Sequence, residues 1–507
     1  MIYNQRKAGA VLSYVSIGLS NVMGLLFTPF LLRMLGQSEY GLYSLVASVV
    51  AYLTVMDFGF GNAIVRYTAK YKALGKTDEQ YSLFGMFFLL YCAIGVLALL
   101  TGIGLYLNVD NLFNKSMSPL ELDKARIMML LLVFNLAFTF PLSVFGSIIN
   151  AYENFVFQKL INIGRVLIYP CIMIPFLLSG HKAITVVVVT TVLNILTLLM
   201  NYWYCRKKLK IQLHFHKFEW GLLKEISGYS FFIFLNYLVD RIYWSTGQFV
   251  LGIIAGTTAV AIYAIAITFQ TYYMSFSTAI SNVFLPKITT MVTNNCSDKE
   301  VSDLFIKTGR VQFIIMSFIL SGFILFGQAF INLWAGNGYK DSYIIALIIM
   351  IPLTLPLIQN LGITILQARN QQKFRSLLYI TISILSLGIS IPLAKVYGGI
   401  GCAIGTSLAL TAGNIITMNI YYYKKVGINI PLFWSEIVKM AIPVIIITAI
   451  EFYVNTLIFN NQISGMIIKL GLFLSLYLPI VYKFGTNQYE KDLVLSVLSK
   501  LKLSKAS

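Results

Sequence analysis

Charged side chains are scarce in this chain. They make up 11% of 507 residues, against about 25% in an ordinary soluble protein, while 58% of the residues are hydrophobic. That shortage excludes a water-soluble globular domain and implies an integral membrane protein. Acidic residues are scarcer still, 19 Asp and Glu against 38 Lys and Arg, for a formal charge of +19. In a soluble chain this balance would suggest nucleic acid. Here the basic residues fall in alternate loops between apolar runs, which accounts for the charge with no nucleic acid involved.

Cysteine and histidine are also few. Cys92, Cys171, Cys205, Cys296 and Cys402 show no paired spacing, which argues against a disulfide framework or a metal cluster. His181, His214 and His216 all lie in loops, and H-x-H alone is a weak metal signal. There is no Walker A sequence, no G-x-S-x-G elbow and no zinc spacing. No catalytic residue, metal or cofactor is therefore expected, and the chain reads as a non-enzyme. The longest loops, near 206 to 227 and 284 to 310, are below the roughly 50 residues a folded domain needs. Function must reside among the helices. The amino-terminal MIYNQRK precedes a long apolar run with no small-residue cleavage site, so that run is expected to remain as an uncleaved first span.

Apolar runs are what the chain has in abundance. About fourteen are long enough to cross a 30 Å hydrocarbon core as helices at about 1.5 Å per residue. They give an all-α polytopic membrane protein. With the amino terminus inside, roughly 28 of the 38 basic residues fall in cytoplasmic segments, so both termini are expected in the cytoplasm.

Two stretches repeat. Gly36, Tyr43 and Asn62 recur as Gly256, Tyr263 and Asn282, and at nearly the same offset Ala151, Phe157, Lys207 and Lys208 recur as Ala368, Phe374, Lys424 and Lys425. The chain thus divides into a six-helix bundle over 1–205, an interfacial linker over 206–228 held against anionic lipid, a second bundle over 229–425, and two added helices with a cytoplasmic tail over 426–507.

A charge in mid-membrane costs about 2.5–3.5 kcal/mol on insertion scales, so each one needs a reason. Arg66 and Asp57 end the second span, Arg165 sits early in the fifth, and Asp240 and Arg241 sit near the middle of the seventh. Guanidinium binds phosphate oxygens in a bidentate way, so Arg241, with Arg66 and Arg165, suits a cationic lumen for a phosphorylated ligand, with Asp57 and Asp240 as charge partners. For Arg66 and Arg165 the competing reading is snorkelling to the cytoplasmic interface. Asn21, Asn62 and Asn282 suit either cavity lining or hydrogen bonds between helices. Glu451 and Lys469 lie at similar depths on consecutive helices and are expected to form an ion pair that fastens the terminal hairpin, ahead of a role in ion coupling.

The turn GQSEYGLYS, the span end MDFGFGNAIVRY and the polar stretches INAYENF and LQARNQQKF resemble the polysaccharide flippases of the multidrug/oligosaccharidyl-lipid/polysaccharide exporter superfamily. The resemblance covers essentially the whole chain. It implies two pseudo-symmetric six-helix bundles around a central cavity, two peripheral carboxy-terminal helices and alternating access. It also implies a bacterial inner-membrane protein that moves undecaprenyl-pyrophosphate-linked oligosaccharides to the outer leaflet, among membrane lipids. Proton or sodium coupling and a polysaccharide polymerase partner belong to the same expectation. The competing readings are a cation-coupled drug exporter of that superfamily and a membrane glycosyltransferase or polymerase.

Overall fold

The computed structural model describes residues 2–215, 220–294, 296–369, 371–457, 463–492 and 495, and no strand occurs among them. The helices are α1 (Ile2–Leu53), α2 (Phe60–Ala73), α3 (Thr77–Leu107), α4 (Val109–Phe113), α5 (Pro119–Ala151), α6 (Phe155–Leu178), α7 (Ala183–Lys207) and α8 (Trp220–Ile254). They continue as α9 (Gly256–Thr293), α10 (Asp298–Trp334), α11 (Asp341–Ile358), α12 (Leu361–Ala368), α13 (Gln372–Leu410), α14 (Met418–Tyr421), α15 (Ile430–Leu457) and α16 (Ile463–Ile480).

Eleven stretches of the described chain are long and apolar enough to cross a membrane, against the fourteen expected. Two of the eleven, Val11–Ala73 and Gln372–Val426, are each long enough for two crossings, and each is broken by a glycine in positive φ, Gly36 at +78° and Gly398 at +55°. The helix Trp220–Ile254 is outside the eleven. Large apolar side chains face outward along these helices, such as Leu26 at 67% exposure and Ile445 at 65%, as a surface solvated by lipid requires.

The chain divides into two compact units, residues 1–265 with 379–402 and residues 266–378 with 403–507. In the first, α5 packs against α3 and α7, and α1 against α6 and α8. Its core holds Phe84, Phe87, Tyr91, Phe145 and Ile148. Small residues let backbones touch where hydrophobicity gives no direction to packing. A β-carbon on Gly41 would lie 1.9 Å from the Thr257 carbonyl oxygen, and one on Gly85 would lie 2.0 Å from that of His214. Beside the first contact, Ser38 and Thr257 donate hydroxyls to Glu121 at 2.6 and 2.8 Å, and Lys124 pairs with Glu39. In the second unit α10 packs against α11, α12 and α15, and α15 against α16.

The repeat is visible in backbone and side chains. Gly36 and Gly256 both adopt positive φ, at +78° and +80°, a conformation that costs glycine little. Ala151 and Ala368 are the last residues of α5 and α12. Phe157 stacks on Tyr204 with centroids 3.8 Å apart, and Phe374 on Tyr421 at 4.1 Å. Each stack lies within one unit, and the tyrosines keep the spacing of the phenylalanines.

Candidate functional site

Between α1 and α2 the helix is interrupted. Thr54–Asp57 tightens to a 3-10 turn, and Phe58 and Gly59 follow in left-handed backbone at φ 51° and 73°. A helix broken inside a membrane must satisfy its freed polar groups locally. Here the Asp57 carboxylate accepts the Tyr91 hydroxyl at 2.7 Å and the Gly59 backbone N–H. Phe58 stacks on Phe234 of α8 at 4.9 Å, and Tyr67 of α2 donates to Glu225 of α8 at 2.8 Å. These contacts fix α2 alongside α8.

On that fixed pair lies a polar surface. Asn62, Arg66, Asp240 and Arg241 are exposed, as is Tyr237 at 40%. Tyr237 shares a hydrogen bond with Asn62 and lies within electrostatic reach of Asp57 and Asp240. Asp57, Asn62 and Asp240 therefore converge on one tyrosine, one helical turn from Arg241 on α8. The Arg66 guanidinium lies over the Tyr67 ring at 5.9 Å. Among the described residues Arg241 makes no ion pair. Tyr237 and Tyr91 were not legible as site residues, because nothing in the sequence separates them from the other tyrosines among 31.

Arg165 is placed elsewhere in the same unit. It lines a cavity of about 480 Å³ between α1, α5, α6 and α7, with Tyr43, Asn135, Tyr169, Thr190 and Asn194. Its guanidinium approaches the Asn194 Oδ1 at 3.5 Å, and Asn194 donates to Asn135 and Thr139 at 2.8 Å each. Asn21 is half-buried on α1; its neighbours Ser20 and Gly24 line this cavity. Asn282 lies on α9, but its side chain is outside the described residues. No three-residue group of His, Cys, Asp or Glu among the described residues is placed to hold a metal.

Residues 7–292 match the family described as polysaccharide biosynthesis protein. The chain belongs to that family. A "Putative O-antigen transporter" of Shigella flexneri is 20% identical over 402 residues, which is 77% of this chain and 92% of that protein. Among solved structures, the lipid II flippase MurJ in an inward closed conformation superposes with a TM-score of 0.71 at 17% identity, over 96% of this chain and 100% of that one. An inward-facing multidrug resistance MATE family transporter of the MOP superfamily gives 0.63 at 12% identity, over 81% and 94%. At these identities the structures establish a shared fold.

In this member of the polysaccharide biosynthesis family the terminal hairpin is not fastened as expected. Glu451 and Lys469 form no ion pair. Lys469 donates to the Asn455 carbonyl oxygen at 3.3 Å, and both Glu451 carboxylate oxygens are buried without a hydrogen-bond partner among the described residues. Similar depth on two helices fixed height but not azimuth, and the two side chains miss. The fastening is made by Arg310 of α10, whose guanidinium contacts Glu490 at 2.6 and 2.9 Å, Glu436 at 2.6 Å and the Gly485 carbonyl oxygen at 3.2 Å.

Proposed function

We propose that this chain is a lipid-linked oligosaccharide flippase, carrying undecaprenyl-pyrophosphate-linked repeat units from the inner to the outer leaflet by alternating access for cell-surface polysaccharide synthesis. The observation that carries the reading is the polar surface of α2 and α8. In a chain with 11% charged residues, it gathers Asn62, Tyr237, Asp240 and Arg241 on helices fixed at the Asp57 break. The basic groups suit the pyrophosphate, and the amide and hydroxyl suit sugar oxygens. The tail of such a substrate needs only lipid, while its head cannot cross hydrocarbon unaided.

The names of the relatives support the same reading, an O-antigen transporter by sequence and a lipid II flippase by fold. The chain acts as a transporter, with no reaction of its own. It sits in a bacterial inner membrane with both termini cytoplasmic, and passes its cargo to a polysaccharide polymerase. The repeats 1–205 and 229–425, the linker 206–228 and the addition 426–507 are the parts that alternate or anchor.

Multidrug MATE transporters share the fold, which makes drug export the second reading. The Arg165 cavity argues against it: its lining holds a guanidinium and no carboxylate, an unfavourable setting for an organic cation. Purified protein in liposomes loaded with a fluorescent lipid-linked oligosaccharide should expose it on the opposite leaflet, and depletion in cells should trap the repeat unit inside. Normal outward transfer without the protein, in a strain lacking a substitute, would overturn the flippase reading. Efflux of small organic cations would install the second.

A further inference from the structure

Glu451 is fully buried, at 0% exposure, and among the described residues neither of its carboxylate oxygens has a hydrogen-bond partner. An ionised carboxylate is costly in such a place unless paired, hydrogen-bonded or bound to a cation. One turn further along α15, the side-chain nitrogen and oxygen of Asn455 are also buried and without a partner among the described residues. Residues four apart share a helix face, so the acid and the amide form one unsatisfied polar patch within a terminal hairpin that the Arg310 cluster already holds in place.

The patch continues a polar seam between α10, α15 and α16. Thr448, three residues before Glu451, donates to Ser321 of α10 at 2.9 Å. Ser321 also bonds the Tyr477 hydroxyl of α16, and that hydroxyl meets Ser317 at 3.0 Å. Two turns further down α10 is Arg310 with its glutamates. Beyond Glu451 on the other side stand Asn455 and Lys469. Hydroxyl groups both donate and accept, so the seam has the makings of a relay.

The ionisable groups facing this seam are few. From α10, Arg310 is the last ionisable residue before Trp334; α16 contributes Lys469 and Tyr477; the Val481–Gly485 turn contributes Tyr482 and Lys483; and α15 itself carries Glu436, Lys439 and Tyr453. Residues 457–467 contain no ionisable residue. Arg310 and Lys439 are paired with Glu436 or Glu490. Lys469 is the cation left on the Glu451 side.

We propose that Glu451 is a proton-binding site whose loading and unloading couple transport to the proton gradient. A Glu451 oxygen takes a proton and becomes the neutral acid. It returns to carboxylate when the proton leaves along the Thr448–Ser321–Tyr477 seam or past Asn455 and Lys469. A proton needs one oxygen, whereas a hard metal cation needs several, and among the described residues of α15 and α16 the buried, unpartnered side-chain oxygens are those of Glu451 and Asn455.

The coupling clause rests on the flippase reading; the proton site does not. The full chain in liposomes is treated with a hydrophobic carbodiimide, which attacks protonated buried carboxyls, and is assayed for leaflet transfer under imposed proton or sodium gradients. The expected results are labelling at Glu451 that is lost in Glu451→Gln and declines as the pH is raised. Transfer stimulated by a proton gradient should lose that stimulation in Glu451→Gln and regain it in Glu451→Asp. Labelling without any transfer of lipid-linked oligosaccharide would sink the flippase reading and leave the site standing. Absence of labelling in the unmodified protein, stimulation that survives Glu451→Gln, or stimulation by sodium alone would each overturn the proposal. If Glu451→Gln does not fold, the infrared band of a protonated carboxyl in the unmodified protein decides: its presence and titration support the site, and its absence overturns it.

Discussion

Tyr91 gives its hydroxyl hydrogen to Asp57 across 2.7 Å, closing the gap in the helix between α1 and α2 from a neighbouring span. Tyr91 is fully buried and Asp57 half-buried, so the bond is shielded from water on the tyrosine side. Tyr91→Phe should lower stability by about 1.5–3 kcal/mol, the range for a hydrogen bond to a charged group. Thermal unfolding in detergent measures this, and an unchanged midpoint would mean that the Gly59 N–H alone holds Asp57.

The approach of Gly41 to the Thr257 carbonyl leaves no room for a methyl group, at 1.9 Å. Gly41→Ala should cost about 1–3 kcal/mol through forced separation of the backbones. Gly18→Ala is the matched control, because nothing lies within 4 Å of its β-carbon position. Equal unfolding temperatures for the two variants would show that α9 yields without cost.

Arg310 stands between two carboxylates, and Arg310 and Glu490 are 4% and 2% exposed. Arg310→Ala leaves Glu490 buried and uncompensated, and should cost about 3–5 kcal/mol. Replacing Arg310 by Met together with Glu490 by Gln should cost less than the single change. Protease sensitivity of the carboxy-terminal segment, followed across a double-mutant cycle, checks both values.

Arg66 and Arg241 are predicted to meet the pyrophosphate. Alanine at either should reduce leaflet transfer by roughly tenfold to a hundredfold, the equivalent of about 1.5–3 kcal/mol for a charge-assisted hydrogen bond. Lysine should restore part of it, because it keeps the charge and loses the bidentate fork. Transport per folded molecule is the measure, and activity equal to the unmodified protein in both alanine variants would remove the arginines from the site.

Much of the fold was legible because hydrocarbon enforces a simple rule: long apolar runs must be helices. The repeat was legible too. Gly36 and Gly256 mark equivalent turns, and the Phe157–Tyr204 and Phe374–Tyr421 stacks carry the second register into the side chains. What the pattern withheld was azimuth. A helix apolar on all sides gives no face to a partner, so the depth of Glu451 and Lys469 could be estimated while their directions could not. The same blindness separated Arg165 from Arg241 only in the structure, where Arg165 has a cavity of its own. Asp57 and Asn62 were legible as polar residues near a span end, but Tyr237, which joins them to Asp240, looked like any interfacial aromatic.

The segment that follows α7 is tied back to an earlier helix of its own unit. His214 gives its backbone N–H to the Tyr81 carbonyl oxygen at 3.1 Å, its ring meets Asp78 at 2.8 Å, and Gly85 leaves space for its own carbonyl. The segment is thus riveted to the beginning of α3. A dye or epitope inserted before Phe215 would report on that anchorage, and its release would register as loss of the tie to Tyr81 and Asp78.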